Sequence, residues 1–260
     1  MTYCVGFRLD RGIVFASDTR TNAGVDNIAT FSKMHVWELK GDRVLIMLTA
    51  GNLAFTQSVV SILSERISTP PDPERPSLSS VTTMFQAARV VGAAIREVRR
   101  VDKQEIEDNP GLFSASFILG GQIGGEDPRL FQIYKEGNFI EATPDNPYFQ
   151  IGEHKYGKPI LGRVASPDMR LGVAAKLLLL SFDSTLRSNL SVGMPIDILI
   201  YRRDALEVSE RRRIQEDDAY FKKLSTAWSE ALRDAFVHID EYEGADTLMP
   251  PVEVASSRRG

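Results

Sequence analysis

The chain has 260 residues, 43% hydrophobic and 25% charged, ordinary values for a globular protein that allow one large domain or two small ones. Its 31 Lys and Arg against 35 Asp and Glu leave a formal charge of −4, so no global basic field exists to attract nucleic acid or an anionic membrane. A lone cysteine, Cys4, excludes an internal disulfide and a multi-cysteine zinc site, and His35, His154 and His238 show no close metal-ligand spacing.

The N-terminus lacks the basic region of a signal peptide, and Arg8, Asp10 and Arg11 interrupt its apolar run. Residues 2–9 and 13–16 read as a hairpin turning at Asp10-Arg11-Gly12, and 34–39 with 43–49 as a second pair around Lys40-Gly41-Asp42. After Gly51, the apolar residues Leu53, Val59, Val60, Leu63 and Ile67 recur at helical steps. The prolines of STPPDPERPSLSS then force a surface loop. Ser79 or Ser80 is expected to cap the helix that follows, through Met84, Ala88, Val91, Ile95 and Val98. Strands are expected at 113–119 and 129–134, with the glycines of GGQIGGEDP serving the hairpin loop between them, and again at 139–142 and 148–151.

A short helix is expected near Pro159 and a longer one over 167–186; LGVAAKLLLLSF within the latter is too short to span a bilayer and carries Lys176. A strand at 196–202 precedes a long helix, about 209–240, with Ile214, Phe221, Leu224, Trp228, Leu232 and Phe236 on one stripe. Segregated runs of strands and helices indicate α+β layers rather than alternating βαβ units. The expected organisation is one domain over 2–240 and a tail over 241–260. The expected setting is reducing and cytoplasmic, without membrane or nucleic-acid partners.

Chemistry concentrates at the start. If Met1 is removed, Thr2 carries a hydroxyl and a free α-amine whose ordinary pKa is about 8, a nucleophile and a weak base on one residue. The run VGFRLDRGIVFASDTR, then Lys33, then RVLIMLTAGN resembles a proteasome β-type subunit. In that family an acid sits before an Arg-containing turn, a lysine follows about fifteen residues later, and Ala-Gly opens the first helix. These places fall on Asp18, Arg20, Lys33 and Ala50-Gly51. The immediate Met-Thr start is similar to bacterial members, and the length and the RSNLSVGMPID stretch resemble the Anbu group, also called ancestral β subunits.

The resemblance covers residues 2–205 and implies a four-layer αββα sandwich of the N-terminal nucleophile hydrolase type, here with an extra long C-terminal helix. It implies attack by Thr2 Oγ on a peptide or amide carbonyl, with its own amine as base. Lys33 would favour the neutral amine, Asp18 would neutralise and orient Lys33, and the Gly51 N–H would bind the oxyanion. Arg20, Thr21, Asn22, Thr49 and Leu53 would contact substrate. The family's Arg-Asp-x-x-Ser stretch, whose acid and serine orient the amine, reads Arg187, Ser188, Asn189, Leu190, Ser191, so Ser188 and Ser191 become the candidate catalytic residues there, Ser191 matching while Ser188 replaces the acid. A family Gly-Ser reads Gly152-Glu153, which leaves Glu153 or Asp197 to restore a carboxylate. The plain alternatives are a salt bridge between hairpins for Asp18 and Lys33, and helix-end hydroxyls for Ser188 and Ser191.

The implied protein is a threonine-type hydrolase in a stacked-ring or open-spiral homo-oligomer, needing no metal or organic cofactor; an ATP-driven unfoldase partner stays open. One rival is a catalytically weak, assembly-forming scaffold or binding protein, for which Glu153 and Ser188 speak. Another is a small-amide amidase or transpeptidase. GEHKYGKP at 152–159 mimics a phosphate loop, but Pro159 supplies neither the Mg²⁺-binding hydroxyl nor the amide such a loop needs.

Overall fold

A computed structural model describes residues 1–22, 28–70, 72–103 and 114–242. Its strands are β1 (Tyr3–Leu9), β2 (Gly12–Asp18), β3 (Arg20–Asn22), β4 (Ile28–Thr30), β5 (Met34–Leu39), β6 (Arg43–Gly51), β7 (Ala115–Ile123), β8 (Arg129–Ile133), β9 (Phe139–Glu141), β10 (Tyr148–Gly152), β11 (Ile196–Arg202) and β12 (Glu210–Ile214). The helices are α1 (Leu53–Ser68), α2 (Met84–Val101), α3 (Lys158–Val164), α4 (Leu171–Ser188) and α5 (Ala219–Val237). One antiparallel sheet runs β10-β1-β2-β11-β12, the other β5-β6-β7-β8-β9, and β3 pairs with β4. No described helix is long and apolar enough to cross a membrane.

The layers follow from side-chain alternation along strands that are buried on both faces. In β6, Val44, Ile46 and Leu48 join Cys4, Phe15 and Ile118 between the two sheets, while Leu45 and Met47 turn out to α1 and α2. In β1, Cys4 points between the sheets, whereas Tyr3, Val5 and Phe7 turn to α4. The result is α1 and α2, a sheet, a sheet, then α3, α4 and α5, the four-layer αββα order. Each fully buried large apolar side chain contributes about 1.5–3 kcal/mol.

Three local expectations need correction. The stretch GGQIGGEDP is not all loop: β7 continues through Gly120 and Gly121 to Ile123, and the turn is made at Gly124-Gly125. A Cβ on Gly120 would lie 2.7 Å from Leu130 Cδ1 and 2.8 Å from Phe15 Cζ of the facing sheet, so this glycine lets the sheets approach, whereas a Cβ on Gly121, at φ +145°, would meet Val44 O of β6 in its own sheet. The cap of α2 is Thr83, which accepts the Gln86 N–H, rather than Ser79 or Ser80. The last helix begins at Ala219, not near 209. Residues 210–214 instead form β12, because β11 offers a free ladder and Asp197 opposite Arg213 accepts a two-pronged ion pair. Asp218 caps α5 by accepting the Phe221 N–H. Phe113, expected in a strand, and 243–260, most of the expected tail, lie outside the described residues.

Candidate active site

β1 and β2 pair with Cys4 opposite Ser17, which sets Tyr3 beside Asp18 at the open end of the hairpin. The Tyr3 N–H donates to Asp18 Oδ1 at 3.0 Å. Lys33 reaches the same oxygen from the other sheet, donating from Nζ at 2.8 Å, and also donates to Arg20 O at 2.7 Å. Asp18 is 0% and Lys33 5% exposed. The ion pair therefore ties the two sheets together at the end where Thr2 begins the first strand.

Burial pushes the Asp18 carboxyl up, opposed by the Lys33 charge and hydrogen bond and by the Tyr3 and Gly193 amides. The N-terminal amine, here on Met1, is pushed below its ordinary value by burial and then by Lys33, while Asp18 and Glu153 act the other way. That amine donates to Ser191 O at 3.4 Å.

Two glycines shape the cleft. Gly51 ends β6 at φ +116°, and a Cβ there would lie 2.0 Å from Ser114 O. Thr49 N–H donates to Lys33 O and Asn52 N–H donates to Ser114 O, both at 3.0 Å. Antiparallel alternation therefore turns the intervening Gly51 N–H away from β7, to the side where Lys33 precedes β5. Gly152, at φ +81°, would set a Cβ 2.0 Å from Thr2 O, the oxygen that accepts the Glu153 N–H at 2.6 Å.

Thr2, Lys33, Gly51, Arg20, Thr21, Thr49 and Leu53 line one cleft of about 110 Å³. Asn22 closes β3 opposite Ile28. Arg20 Nη1 also donates to Leu190 O at 3.1 Å, and its guanidinium lies across Gly193. Ser191 enters through its backbone, its N–H donating to Asn189 Oδ1 at 2.9 Å. Ser188 is exposed at the end of α4, and no described hydrogen bond joins its side chain to Thr2, Lys33 or Glu153.

Of the two candidate carboxylates, Glu153 is the one near the N-terminus. It is buried, accepts the Lys155 N–H at 3.0 Å and accepts from Asn189 Nδ2 at 3.1 Å. Asp197 is bound by Arg213 at 2.7 and 2.8 Å and serves β12. The Lys155–Glu153 bond also disposes of the phosphate-loop pattern, since a carboxylate occupies an amide that a phosphate would need. Asn189 is the residue that sequence reasoning left without a role; its position just past an apolar helix was the one available signal. Thr56 also lines the cleft. Cys4 Sγ is buried against Thr49 O at 3.6 Å, and burial raises its thiol. Among the described residues no group of three or more His, Cys, Asp and Glu is placed to hold a metal ion.

No protein-family model matches the chain, and no curated protein does. Solved structures do. Anbu from Hyphomicrobium sp. strain MC1 is 61% identical, covering 93% of this chain and 100% of that one at TM-score 0.87. The chain belongs to the Anbu family. Anbu (ancestral beta-subunit) from Yersinia bercovieri is 49% identical over 93% of this chain and 99% of its own, with TM-score 0.86. The helical assembly of the Anbu complex from Pseudomonas aeruginosa matches at 48% identity, 94% and 99% coverage and TM-score 0.88. The Anbu fold, of proteasome-β and N-terminal nucleophile hydrolase type, accounts for the four layers and the long α5.

Proposed function

We propose that this Anbu chain is an assembly-forming subunit whose threonine site is a weak amide-bond hydrolase. The observation that carries the chemistry is the convergence on one cleft of Thr2, Gly51 and Lys33, the last paired with buried Asp18. With Met1 removed, the Thr2 amine takes the hydroxyl proton as Oγ attacks a carbonyl, and the Gly51 N–H receives the oxyanion. The C–N bond breaks, the leaving amine takes a proton, and an ester remains on Oγ. Water activated by the same amine then cleaves that ester. A backbone donor of this kind lowers a barrier by about 3 kcal/mol.

The restraint on turnover rests on two features. Glu153 is already engaged by Lys155 and Asn189, and Ser188 faces solvent. The assembly reading draws on the helical assembly of the Pseudomonas aeruginosa relative.

Three measurements test the proposal together. Intact mass gives the fraction of chains beginning at Thr2, and an electrophile requiring both hydroxyl and amine should label that fraction alone. A peptide and small-amide panel should show slow turnover that disappears in Thr2→Ala, with the native assembly mass unchanged. Turnover indifferent to Thr2→Ala, or fast processive degradation of polypeptides, would defeat this reading.

A further inference from the structure

The proline-rich loop between α1 and α2, unused by the Thr2 chemistry, walls a second and larger cavity. Its volume is about 560 Å³, within the range of small-molecule sites, and it lies on the outer helical layer. Leu53 and Thr56, at the start of α1, line the Thr2 cleft, whereas Arg66, in its last turn, lines this cavity about 20 Å farther along the helix. Gln86, Arg89, Ala93 and Arg96 follow at helical spacing along one side of α2. The loop is pinned in place. Arg43 donates from Nη1 to Leu78 O at 3.0 Å and to Val81 O at 2.7 Å, and the Glu74 N–H donates to Asp72 Oδ1 at 2.9 Å. Pro73 and Pro76 restrict the backbone on either side of Glu74 and Arg75.

Charge is concentrated around this cavity. From residue 53 to 101 the chain carries six arginines (66, 75, 89, 96, 99 and 100), no lysine and four acids (Glu65, Asp72, Glu74 and Glu97), an excess of two cations in a protein of net charge −4. Arg66, Arg75, Arg89 and Arg96 line the cavity, with Glu74 and Glu97. Glu97 is neutralised by its ion pair with Arg66, and Arg96 Nη1 donates to Gly137 O at 3.0 Å. The side chains of Arg75, Arg89 and Glu74 have no hydrogen-bond or ion-pair partner among the described residues. Gln86 Oε1 accepts the Thr82 N–H at 2.9 Å, which leaves its Nε2 donors available. A guanidinium presents a fixed fork of donors that matches phosphate and carboxylate oxygens, whereas an ammonium is a point charge. A solvated helix face would need neither a concavity nor arginine alone.

We propose that this cavity binds a small polyanion, a molecule carrying two or more phosphate or carboxylate groups. Arg75 and Arg89 supply the unpaired guanidinium forks. Arg66 and Arg96, already oriented by Glu97 and Gly137 O, add a second positive pair. The short side chain of Ala93 leaves the space that the ligand fills. Glu74 is the lining acid without a partner, and its charge opposes binding. Cations crowded into one concavity repel each other, and a bound polyanion relieves that repulsion. The site shares no residue with the Thr2 cleft, so it stands independently of the proposed hydrolase activity.

The test is isothermal titration calorimetry of the full chain at low ionic strength, with tripolyphosphate, metal-free ATP and citrate as probes. At least one probe should bind once per chain with a dissociation constant below about 100 μM and raise the unfolding temperature. Arg75→Gln and Arg89→Gln should each weaken that binding about 10-fold or more, as expected for loss of a charge-assisted hydrogen bond. Ala93→Phe, which fills the cavity and changes no charge, should weaken it as much, and Glu74→Gln should tighten it about twofold. All four positions are exposed, so circular dichroism should show the fold retained. Tighter binding of the phosphate probes, or of citrate, identifies which oxyanion the site takes. Absence of binding by every probe at about 1 mM overturns the proposal. Binding that survives Ala93→Phe, or is indifferent to both arginine variants, places the anion elsewhere on the surface and also overturns it. A glutamate-rich peptide that outbinds every small probe and is lost in the same variants assigns the cavity to an acidic protein segment, which overturns the small-molecule assignment.

Discussion

Replacing Lys33 with Met keeps much of the side-chain volume and removes the charge, leaving Asp18 a fully enclosed carboxylate. At the 2.8 Å separation of Nζ and Oδ1, Coulomb's law with an effective dielectric constant of about 20 gives a gross attraction of about 6 kcal/mol. Removing one partner of a buried pair costs about 3–5 kcal/mol, because the remaining charge has lost both its mate and its water. Asp18 is already held above the ordinary carboxylate range by burial, and without Lys33 it moves higher. A carboxyl whose folded pKa exceeds its unfolded value binds protons more readily in the native state, so stability falls as pH rises through the window between the two. The deficit of Lys33→Met should therefore be largest above that window and shrink on acidification. Urea unfolding at fixed protein concentration, followed by circular dichroism and tryptophan fluorescence, reads both quantities. The double variant Asp18→Asn/Lys33→Met keeps an acceptor for the Tyr3 N–H and should recover more than half of the loss. A single variant within about 1 kcal/mol of wild type at neutral pH, or a deficit that grows toward low pH, would refute the argument.

Gly152→Ala forces a Cβ to within 2.0 Å of Thr2 O at φ +81°, so a loss of about 2 kcal/mol and weaker labelling of Thr2 are expected; a melting curve and a labelling time course check both. Glu153→Gln removes a charge that raises the N-terminal amine, which should then titrate at lower pH in an amine-acylation profile of the Met1-bearing chain. An unmoved profile would show that Glu153 does not act on that amine. Cys4, buried and with its thiol raised, should resist aqueous thiol reagents in the native protein and react fully once unfolded; rapid native reaction would contradict its placement.

Most elements were legible because local patterns agree with tertiary roles. The hairpins at the N-terminus, the helix after Gly51 and the proline-rich loop follow from alternation, helical spacing and backbone restriction. β12 was illegible for a physical reason: Glu210, Arg211, Arg212 and Arg213 are all exposed, so no hydrophobic period marks a strand. Its pairing depends on a β11 edge and on Asp197, both contributed by earlier sequence. Gly120 misled in the opposite sense, since a glycine needed for close sheet contact looks the same in sequence as one needed for a turn.

By itself the sequence determined the order of elements, the α+β layering and the family to which the spacing of Thr2, Asp18, Lys33 and Gly51 points. It could not decide which carboxylate stands by the N-terminus, because Glu153 and Asp197 are equally plausible as letters. Only the tertiary structure did so, by committing Asp197 to Arg213 and setting Glu153 against Asn189 and Thr2 O. Likewise the stripe of α5 is continuous in sequence, but only the end of α4 determines where it stops being core. Periodicity records which face of an element is apolar; what meets that face is set by chain segments far away.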